Sequence, residues 1–340
     1  MEVIHMKSKN IKDIAKLAGV SYASVSRALN NKPGISEETR KRIFQICKQE
    51  GYRINTTLKN SSENQNRMIG LIIPDIKNPF YSELAANIDK YSHQHGFTIL
   101  LCSSSSNDQK IEDLCKMLIT SNVSGIIIAT SHDSSYPHFN YSPCPIVYIG
   151  DNDGTAQGNF VSTDNYYGGY QGLRYLYQLG HKEIIYFGWH ENSIAHLNRL
   201  HGYQAAAADC NISERRFDST FPYSSIENGY LLAKKLFNTE ENFTAIFAAS
   251  DTLALGVMQA AEECGLHIPN DFSLLGFDNI SYSNLPKINL TTIEQQKKNI
   301  AETAVDLIMK NSKNQEEPKN HTHQTFRPEL IERFSCRILT

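Results

Sequence analysis

No run of eighteen apolar residues occurs in the 340-residue chain, so no membrane-spanning helix is expected. The opening MEVIHMKSKN lacks an apolar stretch followed by a small-residue cleavage site, so export is not expected. Asn-X-Ser/Thr triplets at Asn55, Asn122, Asn211 and Asn242 then read as chance matches. The seven cysteines form an odd, scattered set without a Cys-x-x-Cys pair. Such a set argues against a disulfide frame or a zinc site and for reduced thiols in a cytoplasm. Neither a Walker loop nor Gly-x-Ser-x-Gly is present, and no nucleophile is paired with a base, so neither catalysis nor a cofactor is expected. His93-x-His95 and His321-x-His323 have no evident carboxylate or thiolate to complete a metal site and read as solvated histidines. Asp151-Asn-Asp-Gly lacks the downstream glutamate of a calcium loop and reads as a turn.

What is present is unevenly distributed. Residues 1–60 hold 12 Lys/Arg against 5 Asp/Glu, a balance of +7, which leaves 21 against 31, or −10, for the rest of the net −3. A basic head on an acidic body is a polarised molecule whose head seeks phosphate. The length suggests two or three domains.

In the head, Ile11, Ile14, Ala15 and Ala18 recur at helical spacing and predict a first helix over 11–18. Gly19 ends it in a left-handed conformation and Ser21 caps the next helix. There Val25 and Leu29 point inward, leaving Tyr22, Ala23, Ser26 and Arg27 outward near the N-terminal end. Two short helices so arranged fit the major groove of duplex DNA. Arg27 bridging guanine O6 and N7 is worth about 1–3 kcal/mol of base discrimination, the alternatives being a phosphate contact or a solvated charge. Ser36 caps a third helix, with Glu37 and Glu38 in its first turn and Ile43 and Ile46 completing the core.

From Met68 onward, short apolar runs (MIGLIIP, TILLC, GIIIAT, PIVYIG, EIIYFG, TAIFAAS, SLLGF) alternate with amphipathic stretches near 79–95, 108–122, 166–179, 198–210, 226–237, 251–264 and 295–309. Continuous apolar strands separated by helices mean parallel sheet covered on both faces. So many units exceed one comfortable sheet, and two doubly wound lobes sharing a cleft are expected, with a (β/α)₈ barrel as the alternative. The polar stretch FVSTDNYYGGYQG is read as a break between strands and the first crossing between lobes. Asp75 and Trp189, the only tryptophan, end strands and are candidates to line the cleft, with surface packing as the alternative for Trp189.

The stretch IKDIAKLAGVSYASVSRALNNKPGISEETRKRIFQICKQEGY resembles the DNA-binding head of the lactose-repressor (LacI/GalR) family of bacterial transcription regulators. AGVSYASVSR matches the family's AGVS-x-x-TVSR core, and ISEETR and the closing GY follow in order. The likeness continues through DIKNPFYSEL, TDNYYGG, LGHKEI, RLHGY, ASDTLALGVMQAAEECGLHIPNDFSLLGFDN, LTTIEQ and RPELIERFS, nearly the whole chain. It implies an N-terminal all-α helix-turn-helix head over 1–57, a hinge over 58–67, and an α/β effector-binding and dimerisation body over 68–340. The body is implied to be two doubly wound parallel-sheet lobes of periplasmic-binding-protein type. Tyr22, Ala23 and Arg27 are implied to read bases, with Ser21, Ser26 and Asn30 near phosphates. Ala23 offers only apolar contact, to a thymine methyl. In relatives the hinge reads like Pro-Asn-x-x-Ala-Arg-x-Leu and its leucine wedges into the minor groove. Here Asn55 is kept, the Pro and the Ala-Arg pair are missing, and the wedge position falls on Ser61. Leu58, about one helical turn earlier, is the expected substitute.

The family's effector contacts map onto Phe80, Tyr81, Arg199, Ser250 and Asp278. Their chemistry suits a sugar: a carboxylate accepts from vicinal hydroxyls, a guanidinium donates in a fork, and an aromatic ring covers an apolar face. Helix-start packing for Phe80, loop capping for Asp278 and an ion pair within a lobe for Arg199 stay open beside those roles. The expected function is a cytoplasmic, nucleoid-associated repressor acting on a pseudo-palindromic operator in double-stranded DNA, controlled by a sugar or sugar derivative. With no leucine heptads beyond Ile331–Thr340, a homodimer is expected rather than a tail-assembled tetramer. The alternatives are a co-repressor-dependent or global carbon regulator that binds a phosphocarrier protein, a sugar-binding receptor without DNA function, and an enzyme on a sugar or nucleotide.

Overall fold

Helices α1 (Ile11–Leu17), α2 (Tyr22–Leu29) and α3 (Glu37–Gln49) build the first of two units, which divide between Gln65 and Asn66. The computed structural model describes residues 11–29, 34–49, 67–105, 107–129, 144–152, 158–188, 193–219, 221, 223–312 and 321–339. Gly19, at φ +61°, turns the chain out of α1, a conformation costly for a residue with a Cβ. Ser21 Oγ accepts from the Ser24 N–H at 3.1 Å and Ser36 Oγ from the Thr39 N–H at 3.2 Å, capping α2 and α3. Ile14, Val25, Ala28 and Ile43 are fully buried between the three helices, with Ala15, Ala18 and Cys47 beside them. Ile11, Leu29 and Ile46 are half-buried at the rim, because the narrow core admits Ala28, one turn from Val25, more closely than the larger leucine.

In the second unit, β1 (Met68–Ile73), β2 (Thr98–Ser103), β3 (Gly125–Ala129), β4 (Ile146–Ile149), β5 (Asn159–Thr163) and β11 (His323–Phe326) form one sheet. Its order is β11-β5-β4-β3-β1-β2, parallel throughout. A second sheet joins β6 (Ile184–Phe187), β7 (Arg216–Phe217), β8 (Ala245–Ala248), β9 (Ser273–Asp278), β10 (Thr291–Glu294) and β12 (Glu329–Ile331). Its order is β12-β10-β9-β8-β6-β7, and only the edge strand β12 runs antiparallel. Helices α4 (Pro79–Gln94), α5 (Asp108–Thr120) and α10 (Lys297–Ser312) cover the first sheet. Helices α6 (Asn165–Gln178), α7 (Ile194–Asp209), α8 (Ile226–Phe237) and α9 (Asp251–Glu263) cover the second. These are the two lobes expected from the alternating apolar runs, not a barrel.

Residues 160–163, expected as a polar break, form the strand β5. Phe160 and Val161 pack into the cores on opposite faces of the sheet, and the Thr163 hydroxyl is satisfied by the Gln295 carbonyl at 3.1 Å. The chain leaves for the second lobe directly after it. Strands β7, β10, β11 and β12 are short edge or crossing strands without the apolar runs that reveal buried strands.

The chain passes between lobes three times: after Thr163, between Glu294 and Lys297, and between Phe326 and Glu329. The crossings are bonded to one another, Thr163 Oγ1 to Gln295 O and the Asp164 N–H to Phe326 O at 2.8 Å. Three tied strands between two rigid lobes form a hinge with few free dihedrals.

Helices α6 and α7 touch backbone to backbone. A Cβ at Gly202 would lie 1.9 Å from the Tyr166 carbonyl oxygen, and one at Gly169 would lie 1.9 Å from that of Arg199. Gly202→Ala is expected to destabilise the second lobe by about 3 kcal/mol through forced separation of the helices. A denaturant midpoint unchanged from wild type would contradict this.

Candidate functional sites

On α2 the apolar residues face α1 and α3, so the opposite face carries Tyr22, Ala23 and Arg27, all exposed, and Ser26, half-buried. Tyr22 is 55% exposed. Ser21 is exposed, but one lone pair of its hydroxyl is committed to the cap. The Arg40 guanidinium donates to the Ala28 carbonyl at 3.4 Å, satisfying a last-turn oxygen of α2. The face therefore presents an aromatic, a methyl, a hydroxyl and a guanidinium on one rigid helix. Asn30 and Leu58, expected at the same surface, lie outside the described residues, as does Trp189.

The body's chemistry centres on Arg199, in the second turn of α7 and 4% exposed. A guanidinium taken out of water needs partners on every nitrogen. Nε donates to Asn165 Oδ1 at 2.7 Å, Nη1 to the Ala249 carbonyl at 2.6 Å, and Nη2 lies 3.5 Å from Asp278 Oδ1. The Phe277 ring lies 3.7 Å below the guanidinium carbon. Asn165 in turn donates to both oxygens of Asp151, and Asn198 donates to Asp151 Oδ2 at 2.7 Å. Asp151 follows β4 in the first lobe, whereas Asn165, Asn198 and Arg199 belong to helices of the second. One polar chain, Asp151–Asn165–Arg199–Asp278, thus joins strand ends of both lobes.

A second link lies beside it. Glu83 of α4 accepts from the Ser281 N–H at 2.7 Å and lies 3.7 Å from Lys297 Nζ. Lys297 Nζ donates to the Asp278 and Asn279 carbonyls at 2.6 and 2.8 Å. That clasp holds Asp278 at φ +116° and Asn279 at φ +48°, a conformation costing about 1–3 kcal/mol for residues other than glycine. Gln295 donates to the Asp278 carboxylate from the second crossing.

Asp251 is wholly buried and accepts from the Ile280 N–H, Ser283 Oγ and Thr292 Oγ1 at 2.9, 2.7 and 2.6 Å. Burial, then repulsion from Asp278, pushes its carboxyl up to about 7; burial pushes Asp278 up to about 6 against the pull of Arg199. Asp151 is also raised by burial. A cavity of about 280 Å³ opens beside the chain, lined by Asp151, Asn165, Asn198, Ser162, His323 and Thr325 among others. Polar walls of this kind suit hydroxyl-rich ligands. The lining of that cavity includes none of the six residues expected to hold the effector.

Of those six, Arg199 and Asp278 meet directly, and Ser250 adjoins them through its neighbour Ala249. Ser250 is 3% exposed and caps α9, its hydroxyl accepting from the Leu253 N–H at 3.3 Å. Asp75 lies on the β1–α4 connection of the first lobe, and Phe80 and Tyr81 lie in the first turn of α4. Asp75 accepts from the Lys77 N–H at 2.9 Å, while Phe80 and Tyr81 meet edge to face at 5.1 Å over the lobe core. Asp151, read as part of a turn whose residues 153 and 154 lie outside the described ones, enters the polar chain. Its signal was the same as that of Asp75, a carboxylate at the end of an apolar strand. Asn165, Asn198 and Gln295 carry no such signal.

Because both carboxyls are raised, the folded body holds more protons than the unfolded chain between about pH 4 and pH 7. Their contribution to stability is full below the unfolded value and is lost as pH rises through the folded one. Asp278→Asn is expected to flatten the decline of the melting temperature over that window. Parallel wild-type and variant curves would contradict it.

The model for the periplasmic binding proteins and sugar binding domain of the LacI family matches residues 66–329, and that for bacterial regulatory proteins of the lacI family matches residues 10–55. The chain is 30% identical over 334 residues to the HTH-type transcriptional repressor PurR of Actinobacillus pleuropneumoniae, covering 97% of this chain and 98% of that one. It is 31% identical over 303 residues to catabolite control protein A of Priestia megaterium, covering 88% and 91%. A LacI family transcriptional regulator from Enterococcus faecium, solved with bound ribose, superposes with a TM-score of 0.70 at 27% identity, covering 80% of this chain and 100% of that one.

Proposed function

The chain belongs to the LacI family of bacterial regulatory proteins, and on that footing we propose which residues read DNA and which hold the effector. It is a DNA-binding transcriptional repressor, not an enzyme, with an effector-binding body behind its helix-turn-helix head. In our reading residues 1–57 form the head, 58–67 the linker and 68–340 the body. Tyr22, Ala23 and Arg27 reach base edges, Ser21, Ser26 and Asn30 lie along phosphates, and Leu58 serves as the minor-groove wedge. A homodimer sets two heads on half-sites about one helical turn apart. A regulator working on chromosomal DNA acts in the cytoplasm, associated with the nucleoid.

The observation that carries the effector reading is the buried chain from Asp151 through Asn165 and Arg199 to Asp278. A ligand bonding to its two ends touches both lobes and biases the angle between them. Phe80 and Tyr81 then cover an apolar face, while Asp75 and Ser250 complete the polar rim. A sugar is the fitting class, as ribose is in the Enterococcus faecium relative. Effector control requires unequal affinity for the two lobe arrangements, typically about 1–3 kcal/mol of coupling.

Arg27→Ala is expected to weaken specific operator binding about 10–100-fold while leaving sugar binding intact, measured by anisotropy and calorimetry. Equal loss of both would remove Arg27 from base reading. Asp278→Asn is expected to keep operator affinity yet resist induction by sugars such as ribose or cellobiose that release the wild type. Normal induction in that variant would take Asp278 out of the effector site.

A further inference from the structure

Two consecutive amides of the second lobe are bonded to different lobes. The Ile280 N–H donates at 2.9 Å to Asp251 Oδ2, a carboxylate of α9 in its own lobe. The next one, the Ser281 N–H, donates at 2.7 Å to Glu83 Oε1 on α4 of the first lobe. Ser281 opens a short 3₁₀ turn, Ser281–Asn284, and Ile280 before it provides no side-chain cap. Glu83 therefore supplies from the other lobe the acceptor that a helical start otherwise takes from its own cap.

Neither partner stands on a crossing between the lobes. The bonds Thr163–Gln295 and Asp164–Phe326 join one crossing to another, so a turn of the lobes about them need not break them. The Glu83–Ser281 bond instead reaches from one lobe into the other, and from 2.7 Å a separation of about 1 Å ends it. The backbone beside it is strained. Gln296, in the second crossing, has φ +57°, and Asp278 and Asn279, just before Ser281, also have positive φ. Such conformations persist only where surrounding contacts hold them.

Each lobe can do without Glu83. Lys297 Nζ, 3.7 Å from Glu83, keeps Glu294 at 3.6 Å and the carbonyls of Asp278 and Asn279. Ser281 is exposed, so its freed N–H would meet water. What the bond holds is the arrangement of the lobes.

We propose that Glu83 is a latch that holds the two lobes in this arrangement without a ligand, and that it thereby sets the operator affinity of the unliganded regulator. Glu83 is not among the proposed effector contacts; the link to operator affinity rests on the reading of the body as the element that controls the head. An effector then needs to supply only the difference between latched and unlatched arrangements.

The full-length protein, with no ligand added, is compared with Glu83→Gln and Glu83→Ala. Spin labels on residues introduced at the exposed positions Asp113 and His201, one in each lobe, report the lobe distance. Dilution with unlabelled protein restricts the reading to distances within one chain. Hydrogen exchange at single amides and operator binding by anisotropy are measured on the same variants. Glu83→Ala is expected to shift the lobe distance, to speed Ser281 exchange at least about tenfold with Ile280 unchanged, and to change operator affinity at least about threefold. Glu83→Gln, whose amide oxygen still accepts from Ser281, should stay nearer to wild type in all three. A folded Glu83→Ala with the wild-type lobe distance would overturn the latch, as would equal acceleration of Ile280 and Ser281, which marks local unfolding of the loop. A shifted lobe distance with unchanged operator affinity would overturn the link to DNA and count against the body as the controlling element. An unshifted distance removes the latch alone and leaves that reading standing.

Discussion

A guanidinium held out of water dictates the architecture of the body. Arg199 is tolerated inside the second lobe only because a side-chain amide, a backbone carbonyl, a carboxylate and an aromatic face all converge on it. These come from α6, the end of β8 and β9, so the three elements must keep fixed distances from α7. The glycines at the α6–α7 contact serve the same end. With Gly169 against the Arg199 carbonyl, the helices approach closely enough for Asn165 to reach both Arg199 and Asp151.

That arrangement bonds the two lobes to each other. Asp151 is the first lobe's contribution to the polar chain, and Glu83 is its contribution to the clasp around Ser281 and Lys297. The bonded crossings at Thr163–Gln295 and Asp164–Phe326 leave rotation about the hinge as the soft motion. In the proposed effector role, a ligand that alters the Asp151 or Asp278 end works against a small number of named bonds, and their rearrangement would be the differential contact that allostery requires. The strained backbone at Asp278 and Asn279, clasped by Lys297, lies where those bonds meet.

Charge sets the other constraint. Burial raises the cost of ionising Asp251 and Asp278, with Asp278 adding to it at Asp251 and Glu294 at Asp278, while the three donors on Asp251 and the guanidinium beside Asp278 lower it. Removing a partner from so balanced a set leaves a buried charge uncompensated, which is why conservative amide replacements are informative here and alanine replacements are not.

Apolar periodicity in the sequence by itself determined the three-helix head and a parallel α/β body, with two lobes favoured over a barrel, because buried strands and helix stripes must be written in contiguous or evenly spaced residues; the two separate sheets came from the tertiary structure. Arg27 and its outward neighbours on α2 were legible for the same reason: a helix whose inner face is known has a known outer face. Asp278 and Arg199 were reached through likeness to a family rather than through spacing. Only the tertiary structure decided that these two meet, that Asp151 joins them from the other lobe, and that residues 159–163 are a strand. Such pairings bring together residues far apart in the chain, Asp151 with Asn198 and Glu83 with Ser281, and no local pattern encodes a contact made by the chain's return. Local chemistry set which groups were available, and the three crossings set which of them share one site.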